Sequence, residues 1–334
     1  MLSRSGIAHP THCTDMFGCL KLFGSVVLAV FAHLVLGHRT PPSGAITVGN
    51  GGKYSTLQAA LADNSSNVFF LYAGTYKGNT LISRSNVKIY GQTSGWTTYA
   101  GNLVSLTNNI TAFDVGSDIG SATVQVEASG VSLYNLNINN TYGNALSHSP
   151  AIALCVQGDQ FAGYGLKVQG YQDTLLANTG RQYYRGCWIE GAVDFIFGLD
   201  ASIWITKSVI HTVGSGYITA SGRSSDDSNY YVIDTSTVQG SGSTYLGRPW
   251  RNYGRVVFQN STLGKNVNSA GWSVWAAGDP RTDHVTFAEH QNTGLGARGQ
   301  RASFATGLTT PVSINTVLGS TDWIDPAYLR VHGG

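Results

Sequence analysis

The sequence has few charged side chains, since Asp, Glu, Lys and Arg make up 11% of its 334 residues, against about a quarter in an ordinary soluble domain. The formal net charge is only +2, and Lys and Arg form no run. We therefore expect no nucleic-acid partner and no attraction to an anionic membrane surface. The 42 glycines, with abundant Ser, Thr and Asn, are instead typical of a turn-rich β protein with a polar, uncharged surface.

Cysteine is also scarce, with four in the chain. Cys13 and Cys19 fall in an N-terminal segment that we expect to be removed, which leaves Cys155 and Cys187. Two cysteines do not make a disulfide framework. The place of Cys187 in a strand, two residues before Ile189, favours a buried thiol, and the sequence leaves a Cys155–Cys187 bridge open.

Only one long apolar stretch is evident, at residues 22–37, and it is short for a membrane-spanning helix. A lysine before an apolar segment predicts a signal peptide over residues 1–37, with cleavage near His38. A retained signal anchor is the alternative, and Met16 offers a second start of translation. We therefore expect a single domain over residues 38–334, secreted and with no membrane segment in the mature form.

Asn-x-Ser/Thr sequons support export, because such sites are glycosylated in secreted proteins. They lie at Asn64, Asn109, Asn139 and Asn260. The sequence thus predicts an extracellular glycoprotein.

The chain beyond this segment repeats with a regular spacing of apolar positions. Val168, Ile189 and Ile210 are each 21 residues apart, and Val238 and Leu263 follow after 28 and 25 more. A drifting period of this size, in a chain of short strands without long helices, indicates a β-solenoid. A β-sandwich or jelly roll is the second choice of fold, but it would not explain the repeated register.

The same pattern predicts individual elements. Residues 54–61 read as a short helix, with Ser55 or Thr56 as its N-cap, and it would cover the open end of the solenoid. Short apolar strands follow, such as one expected over Val131–Ile138.

Two acidic residues share this period. Asp173 and Asp194 each lie five residues beyond an apolar anchor, Val168 and Ile189 respectively. Neighbouring coils of a solenoid lie about 4.8 Å apart, so the two carboxyl groups would lie one above the other. Two like charges that close cannot both ionise cheaply, so one tends to keep its proton. A protonated acid beside a carboxylate suits nucleophilic or acid–base attack.

Three segments carry a family resemblance: GYQDTL at 170–175, IEGAVDFIFG at 189–198 and LGRPW at 246–250. In this order and spacing they resemble the signature motifs of the pectin methylesterase (pectinesterase) family, of the fungal, secreted type. The resemblance covers roughly residues 45–326. It implies an all-β fold, a right-handed parallel β-helix, and hydrolysis of the methyl esters of pectin to pectate and methanol. It implies no metal and no cofactor, and we expect a monomer whose partner is the pectin polysaccharide.

The resemblance also implies roles for single residues. Asp194 would be the nucleophile and Asp173 the acid and then the base. Gln172 would donate a hydrogen bond to the oxyanion, and Arg248 would keep Asp194 ionised and oriented. Four aromatic residues would bind the sugar chain: Trp250, Tyr171, Phe195 and Trp272.

One departure from the family pattern bears on activity. The family usually has a glutamine, a second oxyanion donor, where this chain has Pro150, and proline has neither a side-chain donor nor an N–H. Losing one such donor costs about 10²–10³ in rate. The alternative hypothesis is therefore a catalytically impaired pectin-binding protein of the same fold. A third hypothesis is a lyase or glycosidase on a β-helix.

Overall fold

The computed structural model describes residues 39–143 and 150–329. The expected signal peptide lies outside these described residues. Within them, no helix is long and apolar enough to cross a membrane.

The described residues form strands joined by short turns. The strands are β1 Ile46–Val48, β2 Val68–Leu71, β3 Gly74–Lys77, β4 Thr80–Ile82, β5 Lys88–Gly91, β6 Val104–Asn108, β7 Val124–Val126, β8 Ser132–Tyr134, β9 Asn137–Asn140, β10 Leu154–Val156, β11 Phe161–Tyr164, β12 Lys167–Gln169, β13 Leu175–Ala177, β14 Thr179–Arg185, β15 Trp188–Gly198, β16 Asp200–Thr206, β17 Val209–Ser221, β18 Tyr231–Asp234, β19 Thr237–Ser241, β20 Thr244–Pro249, β21 Arg255–Gln259, β22 Thr262–Leu263, β23 Thr286–His290 and β24 Ala305–Gly307. The α-helices are short: α1 Leu57–Leu61, α2 Ala112–Val115, α3 Ile314–Leu318 and α4 Pro326–Leu329.

These strands pair in parallel from coil to coil and wind into a right-handed parallel β-helix. One sheet has the order β1-β2-β5-β8-β11-β14-β16-β18-β21-β23-β24. A second sheet holds two further tracks, β3-β6-β9-β12 and β4-β7-β10-β13, and the long strands β15 and β17 run through both. The predicted solenoid is therefore confirmed, and the sandwich alternative is wrong.

The apolar anchors are partners in this register. Val168 pairs with Ile189, and Ile189 pairs with Ile210. Val238 and Leu263 continue the same ladder despite the longer coils between them. All five side chains are buried in the central core, so the sequence spacing measures the coil length directly.

Helix α1 covers the N-terminal end of this core, as predicted. Thr56 is the N-cap, and its hydroxyl accepts a hydrogen bond from the Ala59 N–H at 3.2 Å. Leu57 and Ala60 point into the core. The strand expected over Val131–Ile138 is instead split into β8 and β9, because Asn135 between them has a φ of 52°. Asparagine tolerates this left-handed conformation better than most residues.

The two cysteines of the described residues are buried free thiols, Cys155 and Cys187. Burial raises the pKa of each to about 12. The buried thiol favoured for Cys187 is confirmed, and no bridge joins the pair.

Candidate active site

Asp173 and Asp194 occupy the same bend on two neighbouring coils. Their φ angles are 60° and 49°, a left-handed conformation that Asp tolerates because its short polar side chain can bond locally. The N–H of Asp173 donates to the carbonyl of Val193 at 3.0 Å, and Gln172 forms a parallel bridge with Val193. The stacking of the two acidic residues, predicted from their spacing, is confirmed.

Glycine at the start of the second bend makes this geometry feasible. A Cβ at Gly191 would lie 2.3 Å from the Cβ of Phe195, which is closer than two carbon atoms can approach. The chain therefore needs glycine here so that Phe195 can enter the core while Asp194 reaches Arg248. The register of β15 shifts at this point, between Gly191 and Ile196.

Arg248, on β20, reaches the two acidic residues and binds Asp194. Its Nε donates to Oδ1 of Asp194 at 2.9 Å and its Nη2 to Oδ2 at 2.6 Å. Such a bidentate guanidinium–carboxylate pair is charge-assisted and fixes the plane of the carboxylate. The side chains of both partners are largely buried, at 18% and 9% exposure. The prediction that Arg248 reaches the face of the two acidic residues is confirmed.

The surroundings affect the pKa values of the two carboxyl groups differently. Burial raises the pKa of Asp173 well above its ordinary value, and the charges of Asp194 and Asp118 raise it further. Burial also raises the pKa of Asp194, but the hydrogen bond and the charge of Arg248 oppose that rise. Asp173 is thus the group that keeps a proton, and Asp194 is the group that ionises first.

Gln172 and Pro150 lie beside this pair. The Gln172 side chain is partly exposed at the bend, where it is available to a ligand. The N–H of Ala151 donates to the Gln172 carbonyl at 3.2 Å, and the carbonyl of Pro150 accepts from the Ala112 N–H at 2.8 Å. Pro150 therefore directly precedes a residue that is hydrogen-bonded to Gln172, and it has no side-chain donor of its own.

The four predicted sugar-binding aromatic residues divide into two groups. Tyr171 and Trp250 are partly exposed, and the Trp250 ring lies 6.1 Å from that of Phe197. Phe195 and Trp272, in contrast, are 0% and 1% exposed and belong to the central core. The expectation that they line a groove is corrected here, because a side chain in the interior of the coil cannot reach a ligand.

Two aromatic residues that the sequence analysis missed hold Arg248 between them. The guanidinium lies 4.0 Å from the ring centre of Tyr217 and 4.2 Å from that of Trp275. Both rings are partly exposed. Trp275 follows Trp272 by three residues, and this second tryptophan was the signal in the sequence that could have pointed to Trp275. The ring of Trp272 enters the core, and the ring of Trp275 contacts Arg248.

The fold and the site together define a class: a parallel β-helix protein with a paired-carboxylate site on one face of its coils. The family model described as Pectinesterase matches residues 45–315. The chain therefore belongs to the pectinesterase family.

Individual relatives agree over nearly the whole chain. A pectinesterase of Aspergillus niger is 42% identical, over 93% of this chain and 99% of that protein. One of Aspergillus aculeatus is 44% identical, over 92% and 99%. The crystal structure of a pectin methylesterase from Aspergillus niger superposes with a TM-score of 0.81 at 41% identity, covering 86% of this chain and 99% of that one.

The different positions of Trp272 and Trp275 predict different effects of their substitution. Trp272 stacks on Phe287 with ring centres 4.6 Å apart, so Trp272→Ala is expected to lower the free energy of unfolding by about 3–5 kcal/mol. Trp275→Ala is expected to change that free energy by less than about 1.5 kcal/mol while lowering kcat/KM roughly tenfold, because Arg248 loses a stacking partner of about 1–2 kcal/mol. Denaturant unfolding and steady-state kinetics of both variants check this. A stable Trp272→Ala protein with a raised KM would restore Trp272 to the groove.

Proposed function

We propose that this chain hydrolyses the methyl esters of pectin to pectate and methanol through the paired carboxyl groups of Asp173 and Asp194. The observation that carries the proposal is the bidentate Arg248–Asp194 ion pair beside a carboxyl group whose pKa is raised well above normal. Membership of the pectinesterase family supports the same reaction.

In the first step, the ionised Asp194 attacks the carbonyl carbon of the ester. Gln172 donates its amide N–H to the oxygen on which negative charge develops, an interaction of about 3 kcal/mol in comparable sites. The protonated Asp173 gives its proton to the departing methoxy oxygen, so methanol leaves and the acyl group stays on Asp194.

In the second step, Asp173 is ionised and takes a proton from a water molecule. That water attacks the acyl carbon, and the bond to Asp194 breaks. The released product is the free galacturonic acid, which then loses its remaining proton to solvent and becomes the carboxylate, while Asp194 is ionised and Asp173 protonated as at the start. Arg248 is paired with the free carboxylate of Asp194, and this pairing favours the ionised form of Asp194 and its departure from the acyl group.

The other hypotheses fit less well. The relatives that match the chain end to end are pectinesterases, so the comparisons give no support to the impaired binding protein inferred from Pro150. An inverting glycosidase needs its two carboxyl groups about 6.5–9.5 Å apart, with a water between them. Asp173 and Asp194 occupy matching positions on adjacent coils, and the spacing of about 4.8 Å between neighbouring strands favours a closer pair than that.

The test is methanol release from highly methylated pectin by the purified, folded protein. Turnover is expected without any added cofactor. Saturable binding of pectin without methanol release would favour the binding protein instead. In that case Pro150→Gln, which supplies the missing amide, should restore turnover.

We also propose that residues 1–37 direct export and that residues 38–334 are the mature, monomeric enzyme. Three of the four sequon asparagines are exposed in the folded protein: Asn64, Asn109 and Asn260. N-terminal sequencing of the secreted protein checks the proposal, since a mature chain that retains the first 37 residues would contradict it.

A further inference from the structure

An exposed apolar patch lies on the short helix α2 and has no part in the proposed reaction. Phe113 is 75% exposed and Val115 is 45% exposed. Among the large apolar side chains that the structure describes, Phe113 has the largest exposed fraction. It also lines a cavity of about 520 Å³ together with Gly116, Asp118 and Pro150. Apolar residues grouped beside a cavity indicate a contact surface, whereas single exposed ones do not.

Hydrogen bonds at the start of α2 hold this patch in place. The hydroxyl of Thr111 accepts from the Asp114 N–H at 3.2 Å, and the Asp114 carboxylate accepts from the Thr111 N–H at 2.8 Å, which completes a capping box. The N–H of Ala112 donates to the carbonyl of Pro150 at 2.8 Å. The exposure of Phe113 is therefore a property of an ordered helical turn and not of a frayed loop.

A glycosylation sequon begins four residues before Phe113, at Asn109-Ile110-Thr111. Asn109 is exposed and lies between β6 and α2, outside both elements. No hydrogen bond to another described residue holds its side chain. Four residues of fully extended chain span at most about 14 Å, so a core glycan of several sugar rings on Asn109 can reach the ring of Phe113.

The other three sequon asparagines are held more tightly. The Nδ2 of Asn260, the atom that would carry the sugar, donates to Oδ1 of Asp234 at 3.0 Å. The Oδ1 of Asn64 accepts from Nη1 of Arg84 at 2.7 Å. Asn139 lies within β9 and is partly buried, and its Oδ1 is buried with no hydrogen-bond partner in the described part of the chain. The sequon before α2 is thus the one whose surroundings best accommodate a glycan.

We propose that Asn109 carries an N-linked glycan whose first sugars pack on Phe113 and cover the apolar patch of α2. The inference rests on the proposed export of the chain, because the sugar donor is a lipid-linked oligosaccharide diphosphate of the secretory pathway. The Nδ2 atom bonds to the anomeric carbon of an N-acetylglucosamine. The bond from that carbon to the diphosphate breaks, the lipid diphosphate leaves with the electron pair, and the amide loses one proton.

The contact between sugar and ring explains how the patch can stay open in the protein alone. One face of a pyranose ring presents C–H groups, and these pack on an aromatic ring as another apolar group does. The contact removes the surface of Phe113 from water without a protein partner. It also keeps two copies of the chain from associating through their patches.

The first experiment maps the glycans of the full chain secreted by a eukaryotic host. Treatment with peptide N-glycosidase in heavy-oxygen water should leave a labelled aspartate at Asn109, and Asn109→Gln should lose one glycan from the intact mass. An unmodified Asn109 in the exported protein would overturn the proposal. If the chain is not exported, the same mapping with a host signal peptide placed before the full chain still decides the modification, so a failure of export is seen separately.

The second experiment tests the contact with a double-mutant cycle. Asn109→Gln is expected to lower the Tm by about 2 °C, the shift that one aromatic contact gives in a chain of this size. In the Phe113→Ser background the same change should lower the Tm by less than half as much. Asn64→Gln is the matched control, because it removes a sequon elsewhere and should have equal effects in both backgrounds. Methanol release should be unchanged in all of these variants.

Three results would show that the glycan does not cover the patch. One is an equal Tm shift from Asn109→Gln in the wild-type and Phe113→Ser backgrounds. Another is a KM for pectin that Phe113→Ser raises in the Asn109→Gln protein, since the polymer would then be the occupant. The third is a dimer of the glycosylated protein in sedimentation that Phe113→Ser dissociates, since the occupant would then be a second copy of the chain.

Discussion

Asp194→Ala is expected to reduce the turnover number by about 10⁴-fold or more, because removal of a nucleophile abolishes covalent catalysis and leaves only binding and oxyanion stabilisation. The variant also leaves Arg248 without its carboxylate partner in a largely buried place. Methanol release from methylated pectin measures the effect, and circular dichroism verifies that the β-helix remains folded.

Asp200→Ala is the matched control for this prediction. Asp200 is an exposed residue at the start of β16, only six residues from Asp194, so the same substitution there should change turnover by less than about twofold. Turnover of Asp194→Ala within tenfold of the wild type would show that another group is the nucleophile.

Asp173→Asn is expected to reduce turnover by about 10²–10⁴-fold, the usual contribution of a general acid–base residue. The amide can neither give a proton to methanol nor take one from water. The loss of the base that activates water is the more informative of the two, because the acyl group should then stay on Asp194. Intact-mass spectrometry after mixing with a methylated oligogalacturonide should detect this covalent adduct in Asp173→Asn but not in Asp194→Ala.

The pH dependence separates the two carboxyl groups. The wild-type reaction needs Asp194 ionised, so the rate falls as the pH drops below the pKa of that group. It also needs Asp173 protonated, so the rate falls as the pH rises above the raised pKa of Asp173. The alkaline limb should therefore be missing from the residual activity of Asp173→Asn. An unchanged alkaline limb would assign that limb to a different residue.

Much of the fold could be predicted from the chain because the solenoid is periodic. Partners such as Val168 and Ile189 lie a fixed number of residues apart, so the spacing of apolar residues gives the register directly. The same arithmetic brings Asp173 and Asp194 together. The motif that contains Arg248 lies on a longer coil, and its position was supported by the family resemblance more than by the period.

The side-chain directions at the bends could not be predicted in this way. Alternation along a strand tells which residues face inward, but the register shift within β15 interrupts it just before Phe195. The left-handed backbone conformation of Asn135 likewise divides a strand that the sequence pattern predicts as continuous. The sequence does not tell which of Trp272 and Trp275 enters the core. The structure distinguishes them, because Trp272 packs on Phe287.

The unequal lengths of the coils limit how this chain can change during evolution. The interval between the two acidic residues is 21 residues, as are the intervals between the anchors up to Ile210, while the two intervals after Ile210 have 28 and 25. A deletion or insertion in the longer coils can be absorbed by a loop at the surface. One inserted residue between Asp173 and Asp194 would instead displace one carboxyl group from the other, and no loop lies between them to compensate. We therefore expect length variation among relatives to be concentrated after Ile210, with the 21-residue interval kept constant even where its sequence diverges.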